Sequence, residues 1–408
     1  MSRAPIESRF ARLSEAAYAL PEDLAARVLS PALVVHLDRV RENLGRVLAA
    51  MGDDADRWRP HIKTIKIPLV MAELVRCGVR YFKCATTREA GCLLRVLDAE
   101  HVADGDLLVA YPHTGPNLAR LGALAERHRR TRVSVLCEQP DSVGEIPESL
   151  EIFVDVNPGM NRTGLAPDRY EEIVQIARLA GRRFRGVHCY DGHLLGVETA
   201  ERRRRAFECY DRLMVLVERL MRDGVGIEEI ITSGTPTFRH AMDYPHFGVL
   251  RSARHRVSPG TVVFHDLRSE QMIAELDLVP AALVYARVVS RPAEGVVTCD
   301  AGSKSIAAES GNPCAYVLGH PELVPMTPSE EHLPLRVIHG PPPRRGTGLY
   351  LIPRHVCPTI NLAEEVIVLE RGKMKDVVTV SARAHELLAG APDDDPQAKP
   401  GDEGRIST

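Results

Sequence analysis

The sequence lacks long apolar runs. No window of its 408 residues approaches the ~18 consecutive apolar residues that a membrane-spanning helix needs, so we expect no membrane partner. The N-terminal stretch has no apolar core of the secretory type and has the pattern of an amphipathic helix. These two absences predict a cytoplasmic protein.

Paired cysteine motifs and an excess of charge of one sign are also absent. The nine cysteines are an odd number without a CxxC pair, and most lie in apolar runs, which is typical of buried free thiols in a reducing cytosol. The formal net charge of -3 gives no electrostatic footprint for nucleic acid or an anionic membrane. The basic run "ERRRR" at 201–205 is interpreted as a solvated helix face, so no nucleic-acid partner is expected.

Short β-branched runs do alternate with helix-length segments between about 32 and 265. This alternation predicts βαβ units and a parallel sheet. Seven to nine such repeats fit an α/β protein with a (β/α)8 TIM-type barrel. A doubly wound open sheet is the alternative, but no GxGxxG follows the first strand. The strand-like runs are "PALVVHLD", "WRPHIKT", "VRYFKCATT", "DLLVAYP", "RVSVLCE", "EIFVDVN", "FRGVHCYD", "EIITSG" and "RVSPGTVVF".

The pattern changes near 270 to Val-rich runs that are broken by Gly and Pro, which is typical of an antiparallel β domain. We therefore predict four regions. They are an N-terminal helical segment packing on the β domain (1–30), the barrel (31–268), a C-terminal antiparallel β domain (269–388) and a disordered tail (389–408).

Polar side chains stand at the carboxyl ends of the predicted barrel strands, where a barrel enzyme has its active site. One run is "RWRPHIKTIK", which contains two lysines, and either could be a solvated strand-end charge. A second run is "TSGTPTF", a turn whose backbone N–H groups and hydroxyls could bind an anion. Other strand ends contribute further polar side chains. A lysine with a phosphate turn after strand 7 or 8 favours pyridoxal 5'-phosphate. The residues gathered at this end include Lys63, Arg162, His188, Tyr190, Thr232, Ser233, Gly234 and Thr235.

A second candidate site lies in the β domain, in "PRHVCPTINL". Residues two apart project from the same face of an extended strand, so His355 and Cys357 would point together. Imidazole and thiolate favour zinc among divalent metals, with substrate and water completing an open site. The alternative is a buried His beside a buried Cys. Upstream, "SEEH" adds Glu330, Glu331 and His332, which could equally form a solvated turn.

These motifs, in this order, resemble the D-threonine aldolase / D-serine dehydratase family, the metal-dependent fold-type III pyridoxal phosphate enzymes related to alanine racemase. The resemblance covers about residues 30–385 and rests on "RPHIKTIK", "ATTREA", "LLVAYP", "VDVNPGMNRTG", "YDGH", "TSGTPTF", "SPGTVVF", "CDAGSKS", "SEEH" and "PRHVCPTINL". It implies a divalent metal (zinc, or manganese, magnesium or cobalt) and a homodimer with shared active sites.

The resemblance also implies a role for each matching residue. It makes Lys63 the Schiff-base lysine and places Arg162, His188 and Tyr190 around the cofactor ring. Ser233, Gly234 and Thr235 match the phosphate turn, whereas His355 and Cys357 match the metal pair near the substrate's β-hydroxyl. One departure is Ile65, which stands where the family pattern RPHxKTHK has a histidine.

The implied activity is a lyase acting on a D-3-hydroxy amino acid. Dehydration would give a 2-oxo acid and ammonia, whereas retro-aldol cleavage would give glycine and an aldehyde. The two reactions share their catalytic parts, and the His-x-Cys form of the metal pair, which the family's dehydratases tend to carry, favours dehydration. An amino-acid racemase and a non-catalytic pyridoxal phosphate-binding protein are the further alternatives.

Overall fold

A computed structural model describes residues 9–248, 250 and 252–389. The disorder predicted for the tail therefore falls, apart from Ala389, outside the described residues. The first eight residues of the predicted N-terminal segment lie outside them as well.

The helices and strands alternate from residue 81 to 257, as the sequence pattern predicts. The α-helices are α1 (Glu22–Ala25), α2 (Leu37–Ala50), α3 (Pro68–Arg76), α4 (Thr87–Ala99), α5 (Gly115–Arg127), α6 (Tyr170–Ala180), α7 (Thr199–Arg222), α8 (Phe238–Asp243), α9 (Pro245–Gly248), α10 (Leu267–Ile273) and α11 (Val356–Leu362). Short 3-10 helices span Arg9–Arg12, Glu15–Ala17, Ala55–Arg57, Pro140–Glu145, Gly181–Arg183, Gly192–Leu194, Thr261–Val263 and Ala274–Leu276.

Seven parallel strands form the first sheet in sequence order, from β2 to β8. Most of their residues are buried because helices cover one face and the strands curl around the other. These strands are β2 (Tyr81–Cys84), β3 (Gly105–Val109), β4 (Thr131–Cys137), β5 (Glu151–Val156), β6 (Phe184–Cys189), β7 (Glu229–Thr232) and β8 (Arg254–Val257). The (β/α) barrel prediction is confirmed.

The gap between β8 and β2 is closed by the segment that was predicted as the second strand. Trp58 bridges Val257 and His61 bridges Lys83, both in parallel, but the segment forms no continuous ladder. The Arg59 amide donates to the Val257 carbonyl at 2.9 Å, and the Lys83 amide donates to the Pro60 carbonyl at 2.9 Å. Residues 58–61 therefore act as an irregular eighth strand, which ends two residues before Lys63.

The second sheet has nine strands and is mostly antiparallel. It contains β1 (Ala32–His36), which the sequence pattern assigns to the barrel. Instead β1 pairs antiparallel with β9 and parallel with β15. The remaining strands are β9 (Ala282–Ala293), β10 (Val296–Cys299), β11 (Ala315–Val317), β12 (Leu323–Pro325), β13 (Leu333–Val337), β14 (Gly348–Pro353), β15 (Glu365–Glu370) and β16 (Lys373–Thr379).

The N-terminal residues pack on this second sheet. Phe10, Tyr18 and Leu24 share one apolar cluster with Leu283 and Ile352 from its strands. The Leu20 amide also donates to the Tyr350 hydroxyl at 2.8 Å. Burial of these side chains attaches the N-terminal segment to the second sheet.

The interior of the barrel is layered. At the amino ends of the strands, Arg59 and Arg185 pair with Asp106, and Arg59 pairs with Glu229, all of them buried. A small apolar cluster lies in the barrel interior, made of Leu108, Leu136, Phe153 and Ile231. The layer at the carboxyl ends of the strands is polar and surrounds a cavity.

No helix in the described part of the chain is long and apolar enough to cross a membrane.

Candidate active site

A cavity of about 210 Å³ opens at the carboxyl ends of the barrel strands. Its walls come from the loops after the strands, from α10 and from the start of α11. It brings together eight of the ten residues that the sequence predicts for the site. These are Lys63, Arg162, His188, Tyr190, Gly234, Thr235, His355 and Cys357.

Lys63 and Lys66 have different surroundings. The Lys63 side chain is exposed and lines the cavity. Lys66 is buried, and its Nζ lies 2.7 Å from Glu89 Oε1 and 3.1 Å from the Ala382 carbonyl oxygen. Since Glu89 also accepts the Ala85 amide at the start of α4, Lys66 belongs to a structural ion pair. Of these two lysines, only Lys63 lines the cavity.

Ile65, at the position of the family histidine, does not line the cavity. Its side chain is fully buried in the main apolar core together with Ile62 and Ile67. Isoleucine at this position therefore contributes apolar contacts outside the cavity. The polarity of the cavity wall is set by other residues.

A third lysine, Lys83, faces the cavity from β2. It is buried, and its Nζ lies 3.2 Å from Nε2 of His188, whose Nδ1 lies 2.8 Å from Asp155 Oδ1. Burial, and next the charge of Lys63, lower the pKa of Lys83 to about 7. Burial and the charge of Lys83 also lower the pKa of His188, which favours a neutral imidazole. The signal for Lys83 in the sequence was a lysine inside the strand-like run "VRYFKCATT".

Two basic side chains approach the ring of Tyr190. The Lys83 Nζ is 5.6 Å and the Arg162 Cζ is 5.2 Å from the centroid of its ring. A Cβ on Gly192 or on Gly234 would come within 2.4 or 2.9 Å of that ring. These two positions therefore need glycine to leave the tyrosine its place beside the cavity.

The predicted phosphate turn follows β7 and lies beside the end of β8. Thr232 pairs with Val257 in the sheet, so the chain continues from these strand ends into Ser233 and Ser258. The Oγ atoms of both serines are buried and have no hydrogen-bond partner among the described residues. Ser233 also has a φ of 59°, in the left-handed region, which is typical of a strained functional turn.

Thr232 and Ser233 do not line the cavity itself. The Thr232 hydroxyl lies 2.8 Å from Nε2 of His255, so this side chain points away from the cavity toward the barrel wall. Sequence reasoning did not single out Ser258, although it stands in "SPGTVVF" and lines the cavity.

The predicted metal pair, His355 and Cys357, lies at the start of a short helix and not in a strand. His355 is the N-cap of α11, and Cys357 is in its first turn. The extended-strand interpretation was therefore wrong, yet the two side chains still lie together. Burial opposes ionisation of both groups, but their mutual contact raises the pKa of His355 to about 9 and lowers the pKa of Cys357. The Cys357 Sγ also lies 3.0 Å from the hydroxyl of Thr64, the residue that follows Lys63 in the chain.

Glu309 orients the imidazole of His355. Its Oε1 lies 2.7 Å from Nδ1, and the Ser310 hydroxyl lies 3.1 Å from the same nitrogen. A carboxylate on one ring nitrogen leaves the other nitrogen as a ligand, which is the usual arrangement around a metal-bound histidine. No motif in the sequence pointed to Glu309.

Asp266 joins the barrel to the metal-pair helix. One carboxylate oxygen accepts the Ser269 amide of α10 at 2.7 Å, and the other accepts the Val356 amide of α11 at 2.9 Å. This carboxylate therefore fixes the His355 segment relative to the barrel. Across the described residues, no group of three or more His, Cys, Asp and Glu is arranged to hold a metal ion.

The "SEEH" motif lies outside the cavity. Glu330 and Glu331 are exposed, and each forms an ion pair with Lys304, at 3.0 and 3.3 Å. Within this chain, Glu330 and Glu331 thus have the surroundings of a solvated turn.

The residues present fit both groups that the family resemblance implies. For pyridoxal phosphate, the cavity offers the Lys63 amine and the unpartnered hydroxyl of Ser258, and the Ser233 hydroxyl, also unpartnered, is buried beside Gly234 of the cavity wall. For a divalent metal, it offers an imidazole held by a carboxylate beside a thiol of lowered pKa. Two protein ligands leave positions open for substrate and water.

The chain matches two protein-family models in sequence order. Residues 35–264, more than half of the chain, match the alanine racemase N-terminal domain. Residues 281–369 match the putative serine dehydratase domain. The first match covers the parallel sheet, and the second covers most of the antiparallel one.

Similar proteins span most of the chain. D-threonine aldolase from an Arthrobacter species is 29% identical over 381 residues, which cover 90% of this chain and 95% of the relative. D-threo-3-hydroxyaspartate dehydratase from a Delftia species is 25% identical over 309 residues, covering 71% and 76%. The crystal structure of D-threonine aldolase from Filomicrobium marinum superimposes with a TM-score of 0.77 at 26% identity, covering 88% and 97%.

Proposed function

Because this chain belongs to the alanine racemase N-terminal domain family, we propose that it is a pyridoxal phosphate- and metal-dependent lyase of D-3-hydroxy amino acids. One observation carries the proposal. A single cavity is lined by the free amine of Lys63, by Gly234 and Thr235 of the phosphate turn, and by His355 and Cys357. The proposed reaction, which uses both a cofactor and a metal, needs these three parts within one substrate length of each other.

The proposed division of labour follows the chemistry of the side chains. When bound, the cofactor withdraws electrons from the substrate's α-carbon, and a divalent ion withdraws electrons from its β-oxygen. Lys63 takes the proton from the α-carbon as general base. His355 and Cys357 hold the ion, with Glu309 fixing the imidazole. Gly234, Thr235 and the neighbouring serine hydroxyls hold the phosphate.

We propose dehydration as the reaction. Loss of the α-proton and of the β-hydroxyl gives an enamine, which is hydrolysed to a 2-oxo acid and ammonia. The proposal is supported by the thiol of the His355–Cys357 pair, since His-x-Cys is the form that the family resemblance associates with dehydratases. It is also supported by the similarity to a D-threo-3-hydroxyaspartate dehydratase.

Retro-aldol cleavage to glycine and an aldehyde is the second candidate. It is favoured by the similarity to D-threonine aldolases in sequence and in structure. Cleavage needs a base for the β-hydroxyl proton. His61 lines the cavity, and burial and the charges of Lys63 and Lys83 lower its pKa well below its usual value, so it is a neutral imidazole.

Product identification separates the two reactions. The protein is loaded with pyridoxal phosphate and zinc and given D-serine, D-threonine or D-3-hydroxyaspartate. Ammonia with a 2-oxo acid is the expected result, whereas glycine with an aldehyde would establish the aldolase instead. Conversion of D- to L-amino acid without bond cleavage would indicate a racemase. Absence of all three outcomes would contradict an enzymatic role.

The native metal and the assembly are proposed on the same basis. Zinc suits an imidazole and a thiolate, and metal analysis of the purified protein tests it. A homodimer is what the family resemblance implies, and sedimentation of the loaded protein tests it.

A further inference from the structure

A second, larger cavity of about 900 Å³ adjoins the active-site cavity. Leu195, Arg268, Met272 and His355 line both of them, so the two spaces meet beside the metal pair. The larger cavity, termed the outer chamber, extends from His355 to Glu309 and to the start of α7. A substrate bound at the metal pair can therefore extend from one space into the other.

The carboxylates that line the outer chamber are already engaged. Glu198 caps α7 and accepts the amides of Ala200 and Glu201 at 2.9 and 3.2 Å. Glu309 lies against the Nδ1 of His355. Both carboxylates therefore already have partners within the chain, and neither forms a hydrogen bond or ion pair with Arg268 among the described residues.

Two of the three arginines that line the chamber are engaged as well. Arg202 donates to the carbonyl oxygens of Val197 and Pro236 at 3.1 Å. Arg354 donates to the Pro313 carbonyl oxygen at 2.6 Å. Their hydrogen-bonding capacity is at least partly used by the protein itself.

Arg268 is different from these two. Within the described residues its guanidinium has neither a hydrogen bond nor an ion pair, although the side chain is partly buried. Its amide donates to the Arg354 carbonyl oxygen at 3.2 Å, which places its backbone directly beside the His355 segment. A partly buried guanidinium without a partner is suited to bind a carboxylate with two parallel hydrogen bonds.

The geometry of the substrate decides where such a carboxylate belongs. In the proposed function, His355 and Cys357 act at the β-hydroxyl. The β-substituent is bonded to the same carbon as that hydroxyl, so it must also lie beside the metal pair. The outer chamber is the space that meets the active-site cavity at His355.

We propose that the outer chamber receives the β-substituent and that Arg268 binds a carboxylate there. The inference rests on the proposed function and names its substrate class, the D-3-hydroxy amino acids with a second carboxylate. Arg268 is then a specificity-determining residue, which distinguishes D-3-hydroxyaspartate from D-threonine and D-serine.

The kinetic test compares two substrates across the wild type and three variants. We expect Arg268→Met to lose about 10- to 100-fold in kcat/KM for D-3-hydroxyaspartate, and less than about 3-fold for D-threonine, because a hydrogen bond to a charged group is lost for the first substrate alone. Arg268→Lys should recover part of the loss. Arg205→Met, on the exposed face of α7, is the matched control and should change neither substrate. An equal loss on both substrates would place the α-carboxylate at Arg268 and overturn the proposal.

A binding measurement gives a readout that needs no turnover. D-aspartate and D-2-aminobutyrate carry no β-hydroxyl, and their dissociation constants can be measured calorimetrically on the loaded protein. We expect the wild type to bind D-aspartate about 10-fold or more tightly than D-2-aminobutyrate, and Arg268→Met to remove the difference. Equal affinities in the wild type would overturn the inference, even if the variant failed to fold. A preference for D-aspartate in a protein that cleaves no substrate would contradict the lyase and leave the carboxylate site standing.

Discussion

Glu309 and His355 lie 46 positions apart in the chain, yet the carboxylate Oε1 is 2.7 Å from the imidazole Nδ1. The loop that carries Glu309 thus fixes the ring that is proposed to hold the metal. A carboxylate in this position fixes the tautomer and raises the basicity of the ligating nitrogen.

Glu309→Gln should weaken metal binding by about 10- to 100-fold, because the amide keeps the shape of the side chain but removes the charge. Competition with a chromophoric chelator measures the zinc dissociation constant directly. The matched control is Glu331→Gln, since Glu331 forms an exposed ion pair with Lys304 away from the cavity. If both variants bound zinc like the wild type, Glu309 would not orient a metal ligand.

Borohydride reduction of the cofactor-loaded protein should attach the cofactor to Lys63. Lys63 is exposed to the cavity, whereas Lys66 is paired with Glu89 and Lys83 lies against His188. Peptide mass spectrometry identifies the modified lysine, and Lys63→Ala should lose both the label and the absorbance near the visible edge. A label on Lys66 or Lys83 in the wild type would show that the reactive amine has been misassigned.

Lys66→Met should lower the free energy of unfolding by about 3–5 kcal/mol, because it leaves the buried carboxylate of Glu89 without its partner. Lys304→Met, which removes an exposed lysine, should change it by no more than about 0.5 kcal/mol. Urea unfolding of the cofactor-free proteins measures both. Equal effects of the two substitutions would mean that the Lys66–Glu89 pair contributes no more than a surface pair.

The stability of the cofactor-free protein should depend on pH through Lys83. Its pKa is lowered to about 7 in the folded state, by burial and by the charge of Lys63, and is about 10.4 in an unfolded chain. Between these values the unfolded chain binds more protons than the folded protein, so the contribution of Lys83 to stability rises with pH. Lys83→Met should therefore stabilise the protein by a few kcal/mol at pH 7, and by progressively less toward pH 10.

Denaturant unfolding at several pH values between 6 and 10 measures this difference between Lys83→Met and the wild type. A difference that is the same at every pH would show that Lys83 titrates as an ordinary lysine. The control is again Lys304→Met, which removes an exposed lysine. Arg59→Met is unsuitable because it would break buried ion pairs with Asp106 and Glu229.

The barrel could be predicted from the sequence because most of its seven regular strands are short apolar runs, and helices separate most of them. The position of β1 could not. A fully buried strand has the same local pattern whichever sheet it joins, and β1 joins the second sheet through pairing with β9 and β15, which lie some 250 and 330 positions later.

The site was predicted where a motif marks it and missed where the fold alone creates it. Lys63, Gly234, His355 and Cys357 stand in motifs, and all four line the cavity. Lys83 looks like a lysine in a strand, and its role depends on which face of β2 turns inward. The helix after His355 is not predicted by its surroundings, since it lies in a Val-rich β domain and its segment "VCPTINL" contains three β-branched residues, whose extended preference the tertiary fold overrides.

The barrel is closed irregularly at the point where the cofactor is proposed to bind. Residues 58–61 hold the first and last regular strands together through isolated bridges, and a Cβ on Gly260 would come within 2.4 Å of the His61 carbonyl oxygen. Lys63 follows two residues later, and Ser258 stands on the other side of this junction. A cofactor bound to both Lys63 and Ser258 would connect the two sides of this irregular junction. The bound cofactor should therefore stabilise the closed barrel at the point where strand pairing is least regular.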